Sequence, residues 1–284
     1  MAQLLDNTVL LYSLVMLVGL LVGSFLNVVI HRLPLMLKLE WERECAEFQG
    51  SPLPETAPFN LCRPRSRCPH CHHQLGVLDN IPLLSWLWLR GRCRYCQAPI
   101  ARRYPLVELA SAALAGLALW RFGASPQLLA ALVFSWVLLC MTLIDVDHLL
   151  LPDNLTLPLL WLGLLLNINA LFVPLASAVL GAAFGYGILW SLYWLFKLVT
   201  GKEGMGYGDF KLLAAIGAWF GWQSLLPVLL LASAAGAALG LGLMALRRLG
   251  EDRVLPFGPA LALGGWIYLL WGQPLMRIYW GVAL

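Results

Sequence analysis

From Pro105 onward the chain is a succession of apolar segments, most of them near the length that crosses a bilayer, and this leaves few architectures open to it. Spans are read at Pro105 to Phe122, Leu128 to Ile144, Leu155 to Leu171, Leu175 to Leu198, Leu212 to Gln223, Leu225 to Leu246 and Pro259 to Ile278. Another opens the chain, from about Val9 to Ile30, where His31-Arg32-Leu33-Pro34 is expected to stop it. A bilayer offers no water to backbone amides, so such segments must be helices. The expected fold is therefore all-α, a polytopic membrane protein of about eight transmembrane helices. A soluble α/β domain is excluded by composition: 60% of the 284 residues are hydrophobic and 12% charged, against roughly 25% charged in soluble domains.

The segment Leu212 to Gln223 is too short to cross, since about 20 residues are needed. It is expected to begin as a broken or partly re-entrant element around the glycines that precede it, in backbone that lines a cavity. No internal repeat is read, because the Ala/Gly/Leu likeness of the later helices is compositional.

Residues 31 to 104 are the one sizeable polar stretch, and 11 of the 19 Lys and Arg lie between Arg32 and Arg103. Basic residues beside membrane helices mark the cytoplasmic side and suit anionic lipid, which accounts for them without nucleic-acid binding. Leu35 to Gln49 reads as a short amphipathic helix, Gly50-Ser51-Pro52-Leu53-Pro54 as a break and Pro58 to Pro64 as loop. Asp6 precedes the first apolar run, with no basic region before it and no clear cleavage site after it. That run is expected to stay as the first membrane helix, entering from outside. Residues 31–104, 145–154, 199–211 and 247–258 then face the cytoplasm and carry Lys202, Lys211, Arg247, Arg248 and Arg253. In the first span Gly23, Ser24 and Asn27 fall on or near one face, for close helix packing with a hydrogen bond from Asn27, or for a site entrance.

Two acids stand at the ends of apolar segments: Asp145 in Ile144-Asp145-Val146-Asp147-His148, and Asp209 in Gly204-Met205-Gly206-Tyr207-Gly208-Asp209. An acid in or near a bilayer is costly unless it serves a wet site or the protein interior. Two carboxylates brought together cannot both ionise comfortably. One can then deprotonate water while the other polarises a carbonyl, which is aspartic-protease chemistry. The glycines would permit close approach of a peptide and a turn that β-carbons resist. Asp153 is read as a helix cap, Lys211 as a boundary charge, and Asp147 and His148 as polar surface. A proton-coupled transporter is the competing reading of two such acids. It calls for groups near the bilayer midplane, whereas these sit near one face.

Cys68-Pro69-His70-Cys71 and Cys93-Arg94-Tyr95-Cys96 are paired C-x-x-C turns, the spacing of a four-thiolate zinc site. Such a site is closed and structural, a staple for a domain with little core of its own. Redox-active dithiols are the alternative. His70, His72 and His73 are read as bystanders, while Cys45, Cys62 and Cys140 lack partners at ligand spacing.

Taken together, the chain resembles the bacterial prepilin peptidases, bifunctional leader peptidases and N-methyltransferases of type IV pilus and type II secretion systems within the GxGD class of membrane aspartic proteases. The resemblance rests on Gly23-Ser24-Phe25-Leu26-Asn27 through Pro34, the two cysteine pairs, Arg103-Tyr104-Pro105-Leu106-Val107-Glu108, Asp145-Val146-Asp147-His148 with Leu151-Pro152-Asp153, and Gly206-Tyr207-Gly208-Asp209. It implies catalysis by Asp145 and Asp209, and structural Zn2+ on Cys68, Cys71, Cys93 and Cys96. It further implies methyl transfer from S-adenosyl-L-methionine near Gly91, Arg92 and Glu108, the last read otherwise as a partner of Arg102 or Arg103. No glycine-rich nucleotide loop announces that donor independently. The implied substrates are prepilins and pseudopilins with a basic leader and a hydrophobic N-terminal helix. They would be cut after the glycine ending the leader, at the cytoplasmic face of the bacterial inner membrane. The implied domains are a first helix (1–30), a cytoplasmic zinc domain associated with methyl transfer (31–104) and a seven-helix protease core (105–284).

Overall fold

The computed structural model describes residues 2–51, 59–76, 78–202, 204–245 and 255–280. The expected break at Pro52 to Pro54, Pro58 and the basic residues Arg247, Arg248 and Arg253 lie outside them. Nine α-helices are found among the described residues, with no β-strand there beyond two isolated bridges. The chain divides into two compact units, Met1–Ala124 and Ser125–Leu284.

The first unit is built on α1 (Ala2–Phe48) and α3 (Arg103–Phe122), with a cysteine-bearing loop region and the short α2 (Leu84–Trp88) between them in sequence. The expected stop at Pro34 does not occur, and the first span and the amphipathic segment form one helix with Pro34 inside it. A proline within a helix forfeits one backbone bond and crowds the carbonyl four residues earlier. Here good helix formers on both sides carry the helix through, Glu40, Glu42, Glu44 and Glu47 among them.

α1 and α3 approach through small residues, running antiparallel. A β-carbon on Gly19 would sit 2.7 Å from Ala112 Cα, and one on Gly23 2.7 Å from Glu108 Cα. Ser111 Oγ donates to the Gly19 carbonyl at 2.6 Å and Asn27 Nδ2 to the Tyr104 carbonyl at 3.1 Å. Close helix packing with a bond from Asn27, one of the two readings of this face, is thus found. α3, expected with the later helices, packs on α1.

The second unit comprises α4 (Pro126–His148), α5 (Asp153–Leu166), α6 (Leu175–Thr200), α7 (Tyr207–Phe220), α8 (Leu225–Ala245) and α9 (Gly258–Trp280). Its centre is α7, which touches α5, α6, α8 and α9. Of its 14 residues, 11 are buried, including every one from Leu212 to Phe220. A helix of 14 residues is about 21 Å long, short of the ~30 Å hydrocarbon core, so its ends must be satisfied by protein. Asn167, fully buried, does this at the far end. Its Nδ2 donates to the carbonyls of Ala218 and Trp219 at 2.9 and 3.0 Å, while its Oδ1 accepts from Phe172 and Val173. Trp219 Nε1 donates to the Leu159 carbonyl at 2.8 Å, and its ring lies over Gly163. α6 reaches α7 through backbone contact of Gly181 with Gly217, and of Gly185 with Leu213 and Ala214.

The eight apolar segments read from sequence thus correspond to α1 and α3 to α9. Five stretches among the described residues are long and apolar enough to cross a membrane: in α1, α3, α4, α6, and Trp222–Gly242 around α8. The chain is a multi-pass membrane protein.

Candidate functional site

Asp145 lies in the last turn of α4, where the helical repeat separates its acids. Asp145 is buried beside Ile144, while Asp147 and His148 are exposed. Leu149 then adopts a left-handed conformation (φ 53°) and ends the helix, its N–H donating to the Asp145 carbonyl at 2.9 Å. This turn brings Leu151 back into the interior.

Asp209 lies in the first turn of α7. Gly206 is the N-cap with extended backbone, and the Asp209 carboxylate three residues on is within hydrogen-bonding reach of the Gly206 N–H. That is the reach-back of a capping box, in which an acid at the third helical position satisfies the cap amide. Neither Gly206 (φ −85°) nor Gly208, inside α7, has the positive φ that favours glycine, so the expected need for a turn that β-carbons resist is not met at these two. The requirement at Gly208 is space, since a β-carbon there would sit 2.7 Å from Leu151 Cβ.

The structure brings the two acids together. Asp145 and Asp209, both buried, are close enough for their charges to act on each other. Leu151 lies against Gly208 on one side and Gly258 on the other. Gly258, the first residue of α9, donates its N–H to Asp145 Oδ2 at 3.1 Å, and a β-carbon on it would stand 2.5 Å from that oxygen. Asp145 therefore sits at a helix N-terminus supplied from elsewhere in the chain, a favourable place for a carboxylate. Sequence reasoning passed over Gly258. Its signal was Phe257-Gly258-Pro259 at the start of an apolar segment, a glycine where a helix begins.

Two neighbours differ from expectation. Asp153 is the first residue of α5 and not its cap, which is Pro152. Its carboxylate receives Lys211 Nζ at 2.6 and 2.7 Å, so Lys211, expected as a boundary charge, also ties α7 to α5.

In the first unit the four thiols Cys68, Cys71, Cys93 and Cys96 lie within 4.8 Å of one another. Cys68 and Cys96 Sγ are 3.8 Å apart, about the edge of a tetrahedron with zinc–sulfur arms of ~2.3 Å. The two turns are built alike, a short structural repeat not read in the sequence. Cys68 N–H bonds the His73 carbonyl and Cys93 N–H that of Ala98. His72 and Gln97 share a φ of 57°, and bridges join Arg67 to Gln74 and Arg92 to Pro99. Backbone N–H groups of Cys71 and His70 hold the Cys68 thiol down at about 6. At Cys96 the Ala98 N–H favours the thiolate, but desolvation and the three neighbouring sulfurs prevail and push it up to about 11. Thiols so crowded cannot all ionise by themselves, and a divalent cation removes that conflict. His73 stacks on Tyr95 (3.6 Å), outside the ligand set.

Of the remaining expected residues, Gly91 is buried with φ 68°, and a β-carbon on it would meet the Trp86 ring at 2.9 Å. Arg92 is exposed. Glu108 is buried between α1 and α3. It accepts the Leu83 N–H at 2.7 Å and a bond from Ser24, partners not read from the sequence.

Two families match the two units: the Bacterial Peptidase A24 N-terminal domain over residues 17–122, and the Type IV leader peptidase family over residues 132–241. The chain is similar to the prepilin leader peptidase/N-methyltransferase of Aeromonas hydrophila, 58% identical over 94% of this chain and 93% of the relative. It is similar also to those of Stutzerimonas stutzeri (57% identical; 92% and 91%) and Pseudomonas aeruginosa (56%; 93% and 91%). No solved structure matches. The chain belongs to the type IV leader peptidase family of membrane proteins, with the bacterial N-terminal domain that accompanies it.

Two outcomes are expected. The four-sulfur cluster is suited to zinc; replacing Cys68, Cys71, Cys93 and Cys96 together by serine should abolish zinc binding by the purified chain, as elemental analysis measures, and unchanged metal content would contradict the ligand set. Gly258→Ala displaces the Asp145 carboxylate; should Asp145 act in the peptidase reaction, turnover falls about 10²-fold, the scale of a ~1 Å misplacement at a reacting group. Wild-type turnover in that variant would contradict the contact.

Proposed function

We propose that this enzyme removes the leader peptide of prepilins at a carboxylate pair formed by Asp145 and Asp209, then methylates the amino terminus so exposed. The observation that carries the first half is the burial of these two acids, from different helices, within electrostatic range of each other. The pair shares one proton. The ionised carboxylate takes a proton from water as the water oxygen bonds to the scissile carbonyl carbon, while the protonated one donates to the carbonyl oxygen. Collapse of the tetrahedral intermediate breaks the carbon–nitrogen bond, and a proton passes to the leaving amine. The pair ends as it began.

The second half is assigned to the first unit. Zinc on Cys68, Cys71, Cys93 and Cys96 would be structural, since four thiolates leave no open position for substrate. S-adenosyl-L-methionine would supply a methyl group as a sulfonium cation. Glu108 offers a buried carboxylate to a cation and accepts the N–H of Leu83, the residue before α2, while Gly91 and Arg92 bond the carbonyls of Trp86 and Leu89 at the other end of that short helix. Methyl transfer is then largely a matter of positioning an unprotonated amine. We place proteolysis in the later helices of the proposed 105–284 core, and methyl transfer in the 31–104 domain with its helical supports.

The substrates proposed are prepilins and pseudopilins with a basic leader ending in glycine and a hydrophobic N-terminal helix. That helix would lie in the membrane beside the enzyme, at the cytoplasmic face of the inner membrane. A transporter would place its acids near the midplane. These stand instead in the last turn of one apolar helix and the first of another.

Asp145→Asn and Asp209→Asn each lower leader cleavage by about 10³-fold or more, the scale of general acid–base catalysis. Both remain folded by size-exclusion and circular dichroism, and both still methylate a pilin peptide supplied without its leader. Appreciable cleavage by a folded variant would remove that residue from the role.

A further inference from the structure

The short helix α2 (Leu84–Trp88) turns one side inward. Trp86 Nε1 donates to the Ile100 carbonyl at 3.4 Å, and its ring covers Gly91. The other side is open: Trp88 is 87% exposed, Leu84 64% and Leu87 55%, with Leu78 and Ile81 exposed just before them. An apolar patch of this kind on a polar domain marks a surface that something covers.

The depth at which α2 is held indicates what covers it. Leu83, the residue before α2, donates its N–H to Glu108 Oε2 at 2.7 Å, and Glu108 is wedged against Gly23 of α1. Glu108 is five residues into α3, about 8 Å along its axis from Arg103. At that level α3 presents exposed Leu106 and Leu109, and α1 exposed Phe25. The start of α2 is therefore pinned where the lipid-facing surface of the α1–α3 pair begins. Charge agrees. Residues 61–103 hold eight arginines against one acid, Asp79, which is bonded to Arg94 at 2.8 Å. Arg90 lies two residues beyond α2 and Arg102 just before α3, both exposed.

We infer that α2 is an interfacial anchor. Its apolar side chains enter the acyl boundary of the same bilayer that α1 and α3 cross, while Arg90 and Arg102 contact anionic lipid phosphates. Tryptophan beside arginine is the side-chain chemistry of that boundary. The surplus of arginine also disfavours a partner segment that is itself basic.

The test uses the full chain in phospholipid vesicles, with Trp88 replaced by the photo-crosslinker p-benzoylphenylalanine and products read by peptide mass. The expected result is a phospholipid adduct on the peptide containing α2 in phosphatidylglycerol vesicles. It should fall several-fold in zwitterionic vesicles, or when Arg90→Glu and Arg102→Glu are combined. An adduct to a second copy of the chain, an adduct to added prepilin that displaces lipid, or no adduct in folded protein would each overturn the anchor. Adduct yield indifferent to lipid charge would overturn the arginine contacts. In the unaltered chain, amide exchange over residues 84–90 should be slower in anionic than in zwitterionic vesicles, and equal rates would likewise count against it.

Discussion

A helix too short to cross the bilayer has to be enclosed by protein, and the second unit is arranged around that constraint. α7 runs only from Tyr207 to Phe220, so neither of its ends can rely on interfacial water along its whole circumference. At one end Asn167 spends all its hydrogen-bonding capacity on the Ala218 and Trp219 carbonyls and on the following loop. At the other, Asp209 is within reach of the Gly206 amide. The carboxylate that helps cap α7 is also one of the two acids proposed for catalysis. Its placement follows from the same demand that fixes the helix.

Close approach through small residues serves both units, in the manner expected where lipid removes the hydrophobic drive for helix association. Gly19 and Gly23 seat α1 on α3, and Gly181 and Gly185 seat α6 on α7. At the carboxylate pair, space is equally decisive. Gly208 and Gly258 admit Leu151 between them, and Gly258 turns the amide of a third helix toward Asp145. A side chain at either glycine would move one carboxylate relative to the other. The motif glycines therefore matter for how the acids are held, and not for an unusual backbone conformation.

The sequence was most legible where the signal is local. Apolar segments announce helices by length and composition, and the cysteine spacing announces a four-sulfur cluster that the fold assembles. Legibility failed where tertiary partners decide. Pro34 looked like a stop, but one lost backbone bond did not outweigh good helix formers on both sides. Asp153 looked like a cap, yet it is the first residue of α5 and engages Lys211, which lies 58 positions away. Glu108 also receives an amide from Leu83, 25 positions away, which nothing local in the sequence announces. The amide that Gly258 gives Asp145 spans 113 positions and leaves only a faint trace in a glycine at a helix start. The likeness of the two cysteine turns was hidden because backbone geometry, more than side chains, is what they share.

The proposed division of labour puts hydrolysis at the paired carboxylates and methyl transfer beside the cysteine cluster. Its central claim is that Asp145 and Asp209 act as one titrating unit. The most direct test is the pH dependence of kcat/KM for leader cleavage by the purified enzyme. A coupled pair gives a bell-shaped profile, with two apparent constants that belong to the pair and not to either residue. A profile with a single limb, or one flat across the pH range, would contradict the shared-proton dyad.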